Sequence, residues 1–327
     1  MPKEMTHWLV AGEVKAGLAG TAYDKPLEDN PNCLLLGAIW PDVLFYLRGR
    51  SHPGPLFDLP DKLHGLAGHD SFQTLRFAVQ AAARAPNRAG LAAFVVGLIS
   101  HIFADAVFHP MVFFFTGDNN SPEPRVRTKA VQSHREFEVV LDFFLCQGRD
   151  QIKGYSLRRI LARTEIPLSG LAAASGLDRI SGCSRAETVR ALTSALRLFG
   201  LLRSICLNPF SAQCLAWIKP VLPDNLKEVA SLAYAPQLER LTNMLAGPIN
   251  YRHPVTGQAL CRSVKDLAQE AVARSLDQCR LMEEALLTGR PLDLNGPGPS
   301  LDSGLAPARD SRMKYFAPQP MWGPMTD

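Results

Sequence analysis

The sequence predicts an all-α protein, a multi-helix bundle, and three observations carry that expectation. Apolar residues recur at helical spacing through most of the 327 residues. No run of alternating apolar and polar residues reads as a strand. Pro, Asp, Ser and Asn punctuate the apolar segments where helices start and stop. Composition agrees, since 46% apolar and 20% charged are the proportions of a folded chain. At roughly 150 residues per domain, the length suits one large or two modest domains.

In chain order, the spacing predicts helices over about 5–19, 32–47, 70–85, 88–114, 131–147, 186–204, 208–218, 224–247 and 259–288. Pro53, Pro55 and Pro60 mark a loop near 48–68, and TGDNNSPEPRVRTKA marks another over 116–130. Three regions follow: a helical core over 1–150 that carries most histidines, a helical extension over 151–290 packed on it, and a flexible Pro/Gly-rich tail over 291–327.

Charge and cysteine content exclude several classes. Lys and Arg number 35 against 31 Asp and Glu, and a net +4 over this length does not suggest nucleic-acid binding by bulk charge. The seven cysteines form no C-x-x-C pair, which argues against both a disulfide framework and a thiolate zinc site. The first twenty residues, MPKEMTHWLVAGEVKAGLAG, lack the apolar stretch of a signal peptide, so a cytoplasmic protein is expected. Residues 89–115 are long and apolar enough to cross a bilayer, yet they include His101, Asp105 and His109. Such groups fit a buried polar site in a bundle better than a lipid-facing helix.

Seven of the eight histidines precede residue 135. His101, Asp105 and His109 are spaced four and four, which sets them along one helix stripe. His134 and Glu138 repeat the spacing on another helix. A lone histidine in an apolar helix is more often a hydrogen-bonded core residue than a ligand. A whole stripe is different, because each unpaired buried ionisable group costs several kcal/mol, and a metal cluster supplies the compensation. Imidazole and carboxylate donors suit zinc.

The ordered set Thr6-His7-Trp8, Trp40-Pro41-Asp42, a His within 64–69, His101-x3-Asp105-x3-His109 and His134-x3-Glu138 resembles the zinc-dependent phospholipase C family over roughly residues 5–145. That family includes the catalytic domain of glycosylphosphatidylinositol-specific phospholipase D. The resemblance implies two to three zinc ions. Asp42, His64, His101 and Asp105 look like the ligands of the first, and His109, His134 and Glu138 like those of the second. His7, with Asp105 as a bridge, looks like a third, incomplete set, because His7 follows six residues where secreted relatives present a free amino-terminal Trp. His69 competes with His64 for one ligand role, and the family spacing favours His64. Asp42 would orient or deprotonate the attacking water.

The implied function is zinc-dependent hydrolysis of a phosphodiester, with a phospholipid substrate and peripheral membrane contact. Arg125 and Arg127, in the loop after the metal helix, are candidates for phosphate binding, against the blander reading of a solvated charged loop. Trp8, Trp40, Phe45, Tyr46, Phe108 and Phe113–Phe115 are candidates for an acyl or headgroup pocket, most of them core. A nuclease or phosphatase with the same cage is the first rival, although basic and base-stacking residues are nowhere concentrated and no nucleic-acid partner is expected. A non-catalytic, metal-stabilised binding protein is the second. His52 and His253 read as solvated surface residues.

Overall fold

A computed structural model of the chain describes residues 3–49, 54–290, 294, 296–306, 312–318 and 321–322. His52 lies outside them. The all-α expectation holds: six long helices dominate, α1 (Glu4–Gly17), α2 (Gln73–Arg84), α3 (Arg88–Thr116), α4 (Pro124–Leu145), α5 (Arg185–Leu207) and α6 (Val264–Thr288), joined by shorter ones.

α3 is the axis. It is apolar on every face, and the most apolar part of it is 94% buried, as a helix surrounded by others must be. Asn87 caps it by accepting from the Gly90 amide at 3.0 Å. α1, α2, α4, α6 and the short helix Pro31–Gly37 all pack on it. The last of these crosses it closely. A Cβ on Gly97 would stand 2.1 Å from the Leu34 carbonyl oxygen, and one on Gly37 would stand 2.1 Å from that of Phe94. Only glycine at both positions lets the two backbones meet, and this contact brings the segment bearing Asp42 against the histidine stripe one turn further along α3. Apolar side chains from both 1–150 and 151–290 join one buried cluster.

Short helices also occupy parts of the predicted loop near 48–68 and of the region 149–181, and four further departures from the predicted elements stand out. The segment 32–47 is not one helix: it breaks after Gly37 and resumes as Trp40–Val43, with Pro41 in the new first turn, where its missing amide costs nothing. α4 begins at Pro124, ahead of the predicted 131, for the same reason, so Arg125, Arg127 and Lys129 stand on a helix and not in a loop. The region 224–247 is divided by Pro236, and beyond it Ile249–Arg252 pairs antiparallel with Ala259–Arg262 in a two-stranded hairpin. Four-residue strands are too short to show alternation.

The fourth departure is the tail. The described residues Gly298–Ser303 are buried, not free. Ser71 Oγ donates to the Pro299 carbonyl at 2.7 Å, and the Gly298 amide donates to Asp70 Oδ1 at 2.8 Å. His253, expected at the surface, is buried beneath the same segment, with its Nε2 2.8 Å from the Ser303 carbonyl oxygen. Such order comes from long-range hydrogen bonds that a local composition rich in Pro and Gly does not disclose.

Candidate metal centre

Five elements converge on the stripe of α3. α1 supplies His7 in its first turns. The short helix Trp40–Val43 supplies Asp42, and His64 ends the short helix Leu59–Leu63. α3 supplies His101, Asp105 and His109, and α4 supplies His134 and Glu138, one turn apart on its buried face. Two groups of donors result: His7, Asp42, His101 and Asp105 in one, and His109, His134 and Glu138 in the other, each with its donor atoms within 4.8 Å of one another.

His64 joins the first group, with Nε2 3.3 Å from Asp42 Oδ1 and 3.6 Å from Asp105 Oδ2. His101 Nε2 stands 3.5 and 3.2 Å from the same two oxygens. His7 Nε2 faces the other oxygen of each carboxylate, 3.3 Å from Asp42 Oδ2 and 3.4 Å from Asp105 Oδ1. Bonds of about 2.0–2.1 Å to a tetrahedral zinc place neighbouring ligands about 3.3–3.4 Å apart, and these separations cluster around that edge. Asp42 and Asp105 thus each present one oxygen to a His64/His101 compartment and the other to His7. Across Asp105 lies the second group, with His109 Nε2 3.9 Å from Asp105 Oδ1 and His134 Nε2 3.0 Å from Glu138 Oε1.

The ring tautomers are set for ligation. Nδ1 lies 2.7 Å from the Pro60 carbonyl oxygen in His64, 2.9 Å from that of Ala38 in His101, and 2.7 Å from that of Leu301 in His109. A carbonyl only accepts, so each Nδ1 carries a proton, and in the neutral ring that leaves the Nε2 lone pair for a metal. The Nε2 atoms of His7, His101 and His109 and both oxygens of Asp105 are buried without a hydrogen bond. Buried polar atoms are rarely left so. Their convergence, donor type and spacing fit zinc.

The electrostatics agree. Burial alone would raise the carboxyl of Asp42, but the imidazoles of His101, His64 and His7 outweigh it and hold it well below the usual range. Asp105 is lowered in the same way, by His101, His109 and His7 against its burial. Burial holds His109 and His134 well below the usual imidazole value, hence neutral at pH 7, and pushes Glu138 up to about 8. Burial lowers His64 and His101 as well, but the adjoining carboxylates reverse the sign and raise both.

The profile of the family described as zinc dependent phospholipase C matches residues 6–172, just over half of the chain. This chain belongs to that family. Comparison with curated proteins and with solved structures gave no match. The match spans every residue of the two donor groups of this zinc-dependent phospholipase C relative and ends at residue 172, leaving nearly all of the C-terminal half outside it.

The remaining predicted site residues divide clearly. His69 is exposed, whereas His64, the other candidate for the same role, is buried with its Nε2 beside Asp42 and Asp105. Arg125 and Arg127 are exposed in the first turn of α4, and Arg127 holds the Ser121 carbonyl at 2.8 Å. The structure does not gather them with the donors. Trp8, Trp40 and Phe108 are fully buried core, whereas Phe45 and Tyr46 are half-buried, Phe45 with its ring 4.8 Å from that of His64. Sequence reasoning missed Leu301 and Asp302, the latter with Oδ1 3.7 Å from His109 Nδ1. No local signal marks them, because their place depends on docking of the C-terminal segment.

Proposed function

We propose that the protein is a phosphodiesterase that hydrolyses phospholipids on the glycerol side of the phosphate, with two or three zinc ions in the cage and Asp42 as the proton acceptor for the attacking water. Zinc in such a cage polarises phosphoryl oxygens and makes water acidic enough to attack at neutral pH. The observation that carries the assignment to Asp42 is its exposure: its side chain is 14% accessible, against 0% for His7, His101 and Asp105 and 1% for His64. It is the donor of its group that meets solvent, its carboxyl is ionised, and two imidazole-lined compartments flank it. The half-buried rings of Phe45 and Tyr46 beside it offer an apolar rim for the lipid part of a substrate at a membrane surface.

The test is Asp42→Asn in the full chain. Asparagine keeps one oxygen for the His64/His101 compartment and loses the carboxylate's charge and second oxygen, so most zinc should remain while kcat falls about 100-fold or more, in the range of a lost general base. Wild-type protein supplied with choline, ethanolamine and inositol phospholipids should release diacylglycerol and a phosphorylated headgroup. Phosphatidic acid as product, or cleavage of single-stranded nucleic acid without action on any lipid, would overturn the assignment.

A further inference from the structure

The third carbonyl that fixes a zinc-facing imidazole comes from an unexpected place. The carbonyls of Pro60 and Ala38, which hold His64 and His101, lie within the family match, whereas Leu301, which holds His109, lies far beyond it. The same residue also donates its amide to the His64 carbonyl at 3.0 Å. Leu301 therefore bridges a donor from each group: the backbone of His64 and the ring of His109. Its side chain is fully buried.

The segment around Leu301 is shaped for this position. Asp70 and Ser71 anchor it at Gly298 and Pro299, and Arg76 adds the carbonyls of Leu294 and Gly296. On the other side, His253 reaches the Ser303 carbonyl from the hairpin. The turn closes on itself through the Gly304 amide to the Ser300 carbonyl at 2.7 Å and the Ser300 amide to that of Leu305 at 2.9 Å. Two glycines make the fit. A Cβ on Gly298 would stand 2.2 Å from Ser71 Oγ. Gly304 has φ +69°, and a Cβ there would stand 2.3 Å from the carbonyl oxygen of Ala106, the residue after Asp105.

We propose that Gly298–Leu305 is a positioning strap, in which the Leu301 carbonyl, supported by Asp302, sets the tautomer and orientation of His109 and so raises the zinc affinity of the His109/His134/Glu138 group. The inference rests on the zinc reading above. Partners of a ligating histidine of this kind typically change metal affinity by about 10–100-fold. Linkage is reciprocal, so zinc in that group must in turn hold the strap down.

The experiment uses the full chain and zinc alone as the probe. Wild type, Gly304→Ala and His253→Ala are titrated with zinc against a competing chelator, and amide exchange over 298–305 is followed with and without zinc. Gly304→Ala should weaken one zinc by about 10–100-fold with helical content unchanged. His253→Ala, which loosens the strap at a point that touches no donor, should do so to a smaller degree. In wild type, zinc should slow exchange of the Leu301 and Gly304 amides. Zinc uptake by wild type with unaltered affinities in both variants and zinc-independent strap exchange would overturn the strap's role alone. Absence of zinc uptake by wild type would overturn the metal reading and the strap's role with it.

Discussion

Two buried polar clusters sit one helical turn apart, and they solve the same electrostatic problem in opposite ways. α1 and α4 feed both: α1 gives Glu4 and Thr6 to one and His7 to the other, while α4 gives Asp142 to the first and Glu138 to the second. In the first cluster every carboxylate is answered by protein. Arg203 Nε donates to Glu4 Oε1 at 2.9 Å, and Arg203 Nη1 donates to the Tyr155 carbonyl at 3.0 Å. Asp142 Oδ1 accepts from the Thr6 amide at 2.8 Å and the Thr6 hydroxyl at 2.7 Å, and Oδ2 accepts from Tyr234 at 2.5 Å. In the second cluster, imidazole and carboxylate atoms face one another across ligand-edge distances, and the Nε2 atoms of His7, His101 and His109 and both oxygens of Asp105 are buried without a hydrogen bond. A cluster that closes its own hydrogen bonds holds the fold together, whereas one that leaves donors converging on a point awaits a cation.

The largest way to break this comparison is at Asp105, whose two oxygens face different compartments. Zinc binding to the native state stabilises it by about 4 kcal/mol at a thousandfold excess over Kd. Asp105→Asn should abolish most of that zinc-dependent gain in thermal stability and lose more than one ion, whereas Glu138→Gln should lose one. Calorimetry with and without zinc, paired with metal analysis, measures both. Equal losses in the two variants would show that Asp105 serves a single ion.

The opposite pattern is expected at Arg203. Arg203→Met leaves the Glu4 carboxylate buried without its guanidinium, and breaking such a pair typically costs about 3–5 kcal/mol. The stabilisation gained on adding zinc should survive, superimposed on a lower baseline. Urea unfolding at two zinc concentrations separates the two effects, and loss of the zinc increment in Arg203→Met would show that the clusters are one energetic unit.

How much of this was legible in the sequence follows from the range of the interactions. The stripe of His101, Asp105 and His109 and the pair His134 and Glu138 are local repeats of helical period, so the sequence states them and the structure merely aims them. Asp42 and His64 came only through the family pattern, because nothing in their own neighbourhoods reports that Gly37 and Gly97 let two backbones touch. The strap looks like a flexible tail in sequence, since PLDLNGPGPSLDSG lacks periodicity and its order resides in bonds to Asp70, Ser71, His64 and His109, all far away in the chain. The self-satisfied cluster was invisible for the same reason: Glu4, Asp142, Arg203 and Tyr234 are ordinary residues until the fold gathers them.

The smallest expected effect sharpens the comparison through pH. Burial, with the charge of Glu4 beside it, pushes the Asp142 carboxyl up to about 6, against the hydrogen bonds from Tyr234 and Thr6. A carboxyl raised in the folded state favours the protonated form there. Its contribution to stability is therefore full below its ordinary value near 4 and is lost as pH rises through about 6. The shift corresponds to at most about 3 kcal/mol. Glu4, lowered by Lys3 and Arg203 despite its burial, acts in the opposite direction, since its contribution is lost as pH falls. Asp142→Asn should thus remove the part of the stability profile that declines between about pH 4 and pH 6, leaving the acid-side rise due to Glu4, and should leave zinc stoichiometry unchanged. Denaturant unfolding of both proteins in chelator across that range provides the measurement. An identical pH profile in the variant would mean that the Asp142 carboxyl is not raised on folding, the hydrogen bonds from Tyr234 and Thr6 offsetting its burial and the charge of Glu4.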